Sequence, residues 1–158
     1  EDISKIREEV KLQINSFVEK NIMSLDEAET ININWIVKFI QSDIFKEIYI
    51  ANKSEKLFKE KAIDYNIKLK NLFRDENISE DEKIMVVGII DLFFENGNGK
   101  IILLDYKTDY VTKENLEEVK ERYKVQLDLY KSAIEDISGK KVAKKGLYLF
   151  GINEFVEI

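Results

Sequence analysis

The sequence predicts an α/β domain: a mixed β-sheet flanked by helices, preceded by a helical N-terminal segment. Three observations predict it. Apolar residues recur at helical spacing through residues 1–55, two apolar runs then flank an Asn/Gly turn, and a long amphipathic stretch separates that hairpin from a further apolar run. At 158 residues the chain fits one domain, read as a helical part over 1–55 and a sheet-and-helix core over 56–158.

The elements follow in order. Ile3, Ile6, Val10, Ile14 and Phe17 trace one face of a helix. Ser24 followed by Glu27 has the capping-box pattern. Asn34 is placed to cap a helix carrying Trp35, Ile36, Phe39 and Ile40, and Ser42 to cap a short one carrying Phe45 and Ile48. The character changes near Leu57. Tyr65, Ile67 and Leu69 alternate with Asn66, Lys68 and Lys70, the period of a half-buried strand, and residues 74–83 read as a charged loop. Residues 84–94 form an apolar run, followed by Asn96-Gly97-Asn98-Gly99 and a second run over 101–107, which together signal a hairpin. A helix is expected over 113–137, ended by Ser138-Gly139, then a buried strand over 142–150 and a short edge strand over 154–158.

Composition excludes several classes of chemistry. Cysteine and histidine are both absent, which removes disulfides, thiolate metal sites and every Ser-His or Cys-His scheme. A metal held by this chain must take oxygen ligands, which selects a hard cation such as Mg²⁺ or Mn²⁺. No run approaches the roughly 20 apolar residues of a membrane span, and no signal peptide is visible. The net charge of −6 argues against a free-standing nucleic-acid binder, since phosphate neutralisation dominates that affinity. It is compatible with an acidic metal site whose cation reverses the local charge. The first residue is Glu rather than Met, so the chain reads as a fragment or a processed product.

Asp91 interrupts an apolar strand between Ile90 and Leu92, where a carboxylate is costly unless it has a cation, a hydrogen-bond donor or water at a strand end. In Asp105-Tyr106-Lys107 the alternation of a strand sends Asp105 and Lys107 to one face and Tyr106 to the other. That pair alone reads equally as an exposed ion pair. The hairpin register decides. Opposition of residues 91 and 105 leaves a three-residue loop, Gly97-Asn98-Gly99, whereas a two-residue turn at Gly97-Asn98 sends the two aspartates to different faces. The glycines permit the first register without compelling it. Gln126 and Tyr130, one helical turn apart, share a face, with a core or boundary reading equally open for each. Glu60, between Lys59 and Lys61, reads on pattern alone as a solvated charge. Lys140, Lys141, Lys144 and Lys145, with Lys113, Lys120, Arg122 and Lys124, are the candidate DNA contacts, against a solvated charged surface.

Taken together, Gly88-Ile89-Ile90-Asp91, Asp105-Tyr106-Lys107-Thr108-Asp109 and Gln126 through Tyr130 resemble the RecB-family nucleases of the PD-(D/E)XK superfamily. Within it the likeness is to the nuclease domain of AddA-type helicase–nuclease subunits, dense from Glu60 to Phe150 and loose before it. The resemblance implies a restriction-endonuclease-like fold and a Mg²⁺- or Mn²⁺-dependent deoxyribonuclease that processes double-strand breaks in the bacterial cytoplasm. Asp91, Asp105 and the Tyr106 carbonyl would be metal ligands, with Glu60 a fainter correspondence. Lys107 would be the catalytic lysine, and Gln126 and Tyr130 would support the site and contact DNA. The implied partners are DNA, a helicase domain of the same polypeptide, where ATP would act, and an AddB-like second subunit. The family usually carries a histidine metal ligand on an earlier helix. Its absence here leads us to expect a chain that by itself cleaves weakly or not at all.

Overall fold

The structure is a computed structural model and describes residues 2–71 and 77–158. Its contacts divide it into two compact units, residues 1–46 and 47–158. The first is helical. Helix α1 (Ile3–Glu19) is capped by Asp2, whose carboxylate accepts from the Ser4 N–H, and α2 (Leu25–Thr30) opens with the Ser24/Glu27 capping box read from the sequence. Helix α3 (Ile33–Gln41) begins earlier than expected. Its cap is Asn32 rather than Asn34, since Asn32 Oδ1 accepts from the amides of Asn34 and Trp35. Starting there brings Ile33 into the small core of Ile6, Val10 and Val37. Helix α4 (Asp43–Lys53), capped by Ser42, is longer than the short helix expected.

The second unit carries a five-stranded sheet in sequential order. Strands β1 (Leu57–Lys68), β2 (Lys83–Glu95) and β3 (Ile101–Lys107) form an antiparallel meander. Strand β4 (Val142–Leu149) joins β3 in parallel, and β5 (Glu154–Glu157) closes the edge antiparallel to β4. A parallel neighbour requires a crossover, supplied by α5 (Leu116–Ser138). That helix starts three residues later than the periodicity indicates. Asn115 Oδ1 accepts from the Thr112 amide at 2.7 Å and its side-chain amide donates to the Tyr110 carbonyl, which holds residues 113–115 in a turn. Gly139 closes the helix at φ 67°. Leu69, expected in the first strand, instead opens a 3₁₀ turn. Of the expected charged loop, residues 74–76 lie outside the described residues and the remainder forms turns before β2.

The core lies between the sheet and α5, where Leu127, Ala133 and Ile134 pack on Ile63, Ile90, Leu103, Leu147 and Leu149. Strand β3, central in the sheet, is buried from Ile101 through Asp105, as its unbroken apolar run requires. The run over 84–94 behaves differently: Met85, Val87 and Ile89 are exposed, so only alternate residues of that half of β2 enter the core.

Strand β5 packs against a glycine of β4. A Cβ on Gly146 would stand 2.3 Å from the Val156 carbonyl oxygen, a backbone atom that cannot step aside. Gly146→Ala is therefore expected to cost roughly 1–3 kcal/mol through displacement of the edge strand, which urea denaturation would register; an unchanged midpoint would mean that β5 moves without cost.

Candidate active site

The hairpin takes the register that opposes residues 91 and 105. Leu92 pairs with Leu104 and Glu95 with Ile101; the Asn96 amide donates to the Lys100 carbonyl, and Gly99 takes φ 72° in the loop. The β2–β3 ladder stops at Leu92–Leu104, and the two strands diverge immediately beyond it. At that fork the Asp91 carboxylate replaces the departing strand: its Oδ2 accepts from the Tyr106 backbone N–H at 2.9 Å. Asp91 is thus held by a β3 donor rather than left as a frayed strand end. Its Oδ1 has no hydrogen-bond partner among the described residues.

A second irregularity sits on the same row. In β1 the pairing runs Lys59–Leu92 and then Lys61–Ile90, so Glu60 stands at the register position of Asp91 but forms no ladder pair, and its φ is 49°. The side-chain alternation slips there. Phe58 stacks on Phe93, and Phe93 joins the α5 core, yet Ile63 and Ile90, of opposite parity, enter that same core. A positive φ at a β-strand glutamate is a strained conformation. Nothing in the composition of the strand announces it. Glu60 is exposed, and among the described residues no three acidic side chains converge as a metal cluster.

Asp105 is 2% exposed and is the one buried charged residue among the described residues. Desolvation raises its carboxyl pKa above the usual range; Lys107 opposes that rise and the charge on Asp91 adds to it. The Lys107 ammonium lies 2.5 Å from Asp105 Oδ2, so the buried carboxylate is matched in charge. For Lys107, desolvation pulls the pKa down, but the contact with Asp105, with smaller contributions from Tyr123 and Asp91, outweighs it and the net shift is upward. Lys107 is therefore held as a cation. From α5, the Gln126 side-chain amide donates to Asp105 Oδ1 at 3.4 Å and to the Tyr130 hydroxyl at 3.2 Å. Tyr130 is a core aromatic whose hydroxyl faces the site. The space it fills exists because residue 88 is glycine: a Cβ there would lie 2.9 Å from the Tyr130 oxygen.

The Tyr106 carbonyl is oriented by the strand itself. The Lys107 carbonyl accepts from Phe150 N, on the β4 side. Alternation then turns the N–H and carbonyl of Tyr106 to the other side, toward β2, as the bond to Asp91 independently requires. Two carboxylates and a carbonyl oxygen thus border one fork. This all-oxygen donor set, two carboxylates and a carbonyl, fits a hard divalent cation.

The basic residues fare otherwise. Lys140 pairs with Glu95, Lys141 with Glu135, Lys144 with Glu157, Lys145 and Lys124 with Asp128, and Lys120 with Glu117. With Lys140 and then Lys56 bonded to it, the Glu95 carboxyl is pulled down to about 2. These cations are already compensated, which favours the charged-surface reading over a ready-made DNA track. Sequence reasoning also missed Tyr123. Its ring lies 4.4 Å from the Lys107 ammonium and its hydroxyl donates to Asp109, a tertiary link that helical spacing does not encode.

The chain matches the PD-(D/E)XK nuclease superfamily over residues 7–156. It is 40% identical over 150 residues to the A subunit of the ATP-dependent helicase/nuclease of Clostridium acetobutylicum, covering 94% of this chain and 12% of that protein. The proteins of the same name from Clostridioides difficile and Clostridium beijerinckii are 38% and 41% identical, over 94% and 96% of this chain and 12% of each relative. The chain thus spans about one eighth of the length of these relatives. The mixed sheet with its crossover helix, the Asp91–Asp105–Lys107 fork and a match covering nearly every residue lead to one assignment: the chain belongs to the PD-(D/E)XK nuclease superfamily.

Proposed function

We propose that this chain is the nuclease portion of a longer ATP-dependent helicase–nuclease that cleaves DNA phosphodiesters during double-strand-break processing in the bacterial cytoplasm. The observation that carries the reading is the convergence of Asp91, Asp105 and Lys107 where β2 leaves β3, with the Asp105 carboxylate buried against the Lys107 ammonium. Asp91, Asp105 and the Tyr106 carbonyl would hold Mg²⁺ or Mn²⁺. When bound, that cation supplies Lewis-acid polarisation of the phosphodiester and a lowered pKa for the attacking water. The chain's own groups do the rest. Lys107, kept charged by Asp105, faces the charge that develops on the phosphate oxygens. Gln126 fixes the Asp105 rotamer through Oδ1 and is itself fixed by Tyr130. The proposed partners are DNA, a helicase domain of the same polypeptide acting on ATP, and an AddB-like second subunit.

Glu60 belongs to this proposal as an outlying ligand, since it occupies the same cross-strand row as Asp91. With no histidine and, among the described residues, only two acidic side chains at the fork, the 158-residue chain alone is expected to bind the cation weakly and cleave poorly. That same count favours a second reading, a nuclease-like module that binds DNA or a partner subunit without cleaving.

The test uses the full-length protein with its partner subunit on end-labelled duplex DNA. Cleavage that requires Mg²⁺ or Mn²⁺, stops with chelator and disappears in Asp105→Ala while ATP hydrolysis continues supports the nuclease. DNA binding without cleavage under any divalent cation supports the module.

Gly88→Ala probes the support of the site. Its methyl group would push the Tyr130 ring away from Gln126 and loosen Asp105, so cleavage should fall by about tenfold to a hundredfold. DNA affinity should stay unchanged in a binding assay. Wild-type cleavage by Gly88→Ala would show that Tyr130 is merely packed.

A further inference from the structure

We propose that Tyr123 is a positioning residue for Lys107, with Asp109 as the anchor that fixes the tyrosine ring. The inference rests on the role in cleavage proposed above for Lys107. A lysine at the end of a strand carries four rotatable bonds, and one close partner does not define where its ammonium stands. Here two groups bracket it. Asp105 lies on one side at 2.5 Å, and the Tyr123 ring centroid lies 4.4 Å away on another. The ring attracts the ammonium through its quadrupole without neutralising it, whereas a second carboxylate would draw it away from a phosphate.

The ring is held in turn. The Tyr123 hydroxyl donates to Asp109, lying 3.0 Å from Oδ1 and 3.1 Å from Oδ2, and the Arg122 guanidinium pairs with the same carboxylate at 3.4 Å. Asp109 sits two residues beyond Lys107, so one short segment supplies both the ammonium and the anchor of the ring that positions it. The loop bearing Asp109 is itself confined by a close backbone approach. A Cβ on Gly151 would stand 3.1 Å from the Asp109 carbonyl oxygen, and the Phe150 amide bonds the Lys107 carbonyl. The series Gly151, Asp109, Tyr123, Lys107 links the end of β4 through α5 to the end of β3. It accounts for the Tyr123–Asp109 hydrogen bond, which core packing of the ring does not by itself require.

The experiment is steady-state cleavage of duplex DNA by the full-length helicase–nuclease with Mg²⁺, comparing wild type, Tyr123→Leu, Tyr123→Phe and Asp109→Asn. Leu keeps an apolar side chain against the core but removes the ring, so kcat should fall by about tenfold to a hundredfold with KM within about twofold. Phe keeps the ring and loses only the anchor, so it should recover most of that loss. Asp109→Asn leaves an amide oxygen that still accepts from the Tyr123 hydroxyl, so its loss should be no larger than that of Phe. Equal damage by Leu and Phe, or a fall carried by KM, or wild-type kcat in Leu, would overturn the inference. ATP hydrolysis and DNA affinity, measured on the same samples, exclude misfolding as the cause of a lost kcat. A wild-type protein that cleaves nothing overturns the nuclease reading itself, whereas wild-type cleavage with an undamaged Leu variant overturns only the role of Tyr123.

Discussion

An Asp105→Asn protein is expected to fold, bind DNA and hydrolyse ATP while losing cleavage by about a thousandfold or more, because the lost carboxylate charge removes a proposed cation ligand. The expected effect on stability is the opposite of what so buried a residue ordinarily produces. Asp105 is 2% exposed, and desolvation is the largest influence on its carboxyl. Its ionised form is costly to bury, and the amide keeps the shape and the acceptor to Gln126 without the charge. Unfolding free energy should change by less than about 1 kcal/mol, in either direction, because the Lys107 side chain, 18% exposed, can turn its ammonium to water. A large loss of stability parallel to the loss of cleavage would mean that Asp105 is a structural carboxylate. Urea denaturation and a cleavage assay on the same preparation separate the two.

Lys107→Met should produce a different pattern. It removes the cation proposed to face the phosphate, for an expected loss of about a hundredfold to a thousandfold in kcat. It also leaves the Asp105 carboxylate buried with no opposing charge among its described protein neighbours. Removing one partner of a buried pair is strongly destabilising, and since the Lys107 side chain retains 18% exposure we expect about 2 kcal/mol. The double variant Asp105→Asn/Lys107→Met should regain most of that stability and none of the activity. If the single lysine variant unfolds at the wild-type denaturant concentration, the pair is solvated in solution and the coupling described here is absent.

Much of this site was legible from residue order. The same-face projection of Asp105 and Lys107 follows from strand alternation, and the common direction of Gln126 and Tyr130 from helical spacing. The hairpin register was narrowed to two alternatives by Gly97 and Gly99, and the three-residue loop prevailed, with Gly99 taking the left-handed φ that it needs. What was not legible has physical causes. The slip at Glu60 and Asp91 rests on a left-handed glutamate in a strand, which intrinsic preference argues against. The cap of α3 fell to Asn32 because Ile33 gains burial, although either asparagine has the right side chain. The Tyr123–Asp109 link joins two elements fourteen residues apart, and no local period encodes it. Charge runs gave no sign that most of the candidate DNA-binding lysines would be paired with carboxylates.

The proposed roles at the fork would also let an acidic chain serve a polyanionic substrate. Its net charge of −6 is set by the whole surface, but the site presents two carboxylates beside a retained ammonium. A divalent cation there converts the local sign. DNA affinity would then come from the cation, Lys107 and the rest of the longer protein rather than from a basic face of this domain.

The central claim is that Asp91 and Asp105 hold one divalent cation together, and Mn²⁺ titration followed by electron paramagnetic resonance tests it most directly. The full-length protein, free of nucleotide, should bind Mn²⁺ at a site whose affinity falls by at least about tenfold in Asp91→Asn and again in Asp105→Asn, since each removes a charged oxygen ligand. Unchanged Mn²⁺ binding in the Asp91→Asn/Asp105→Asn double variant would contradict the account.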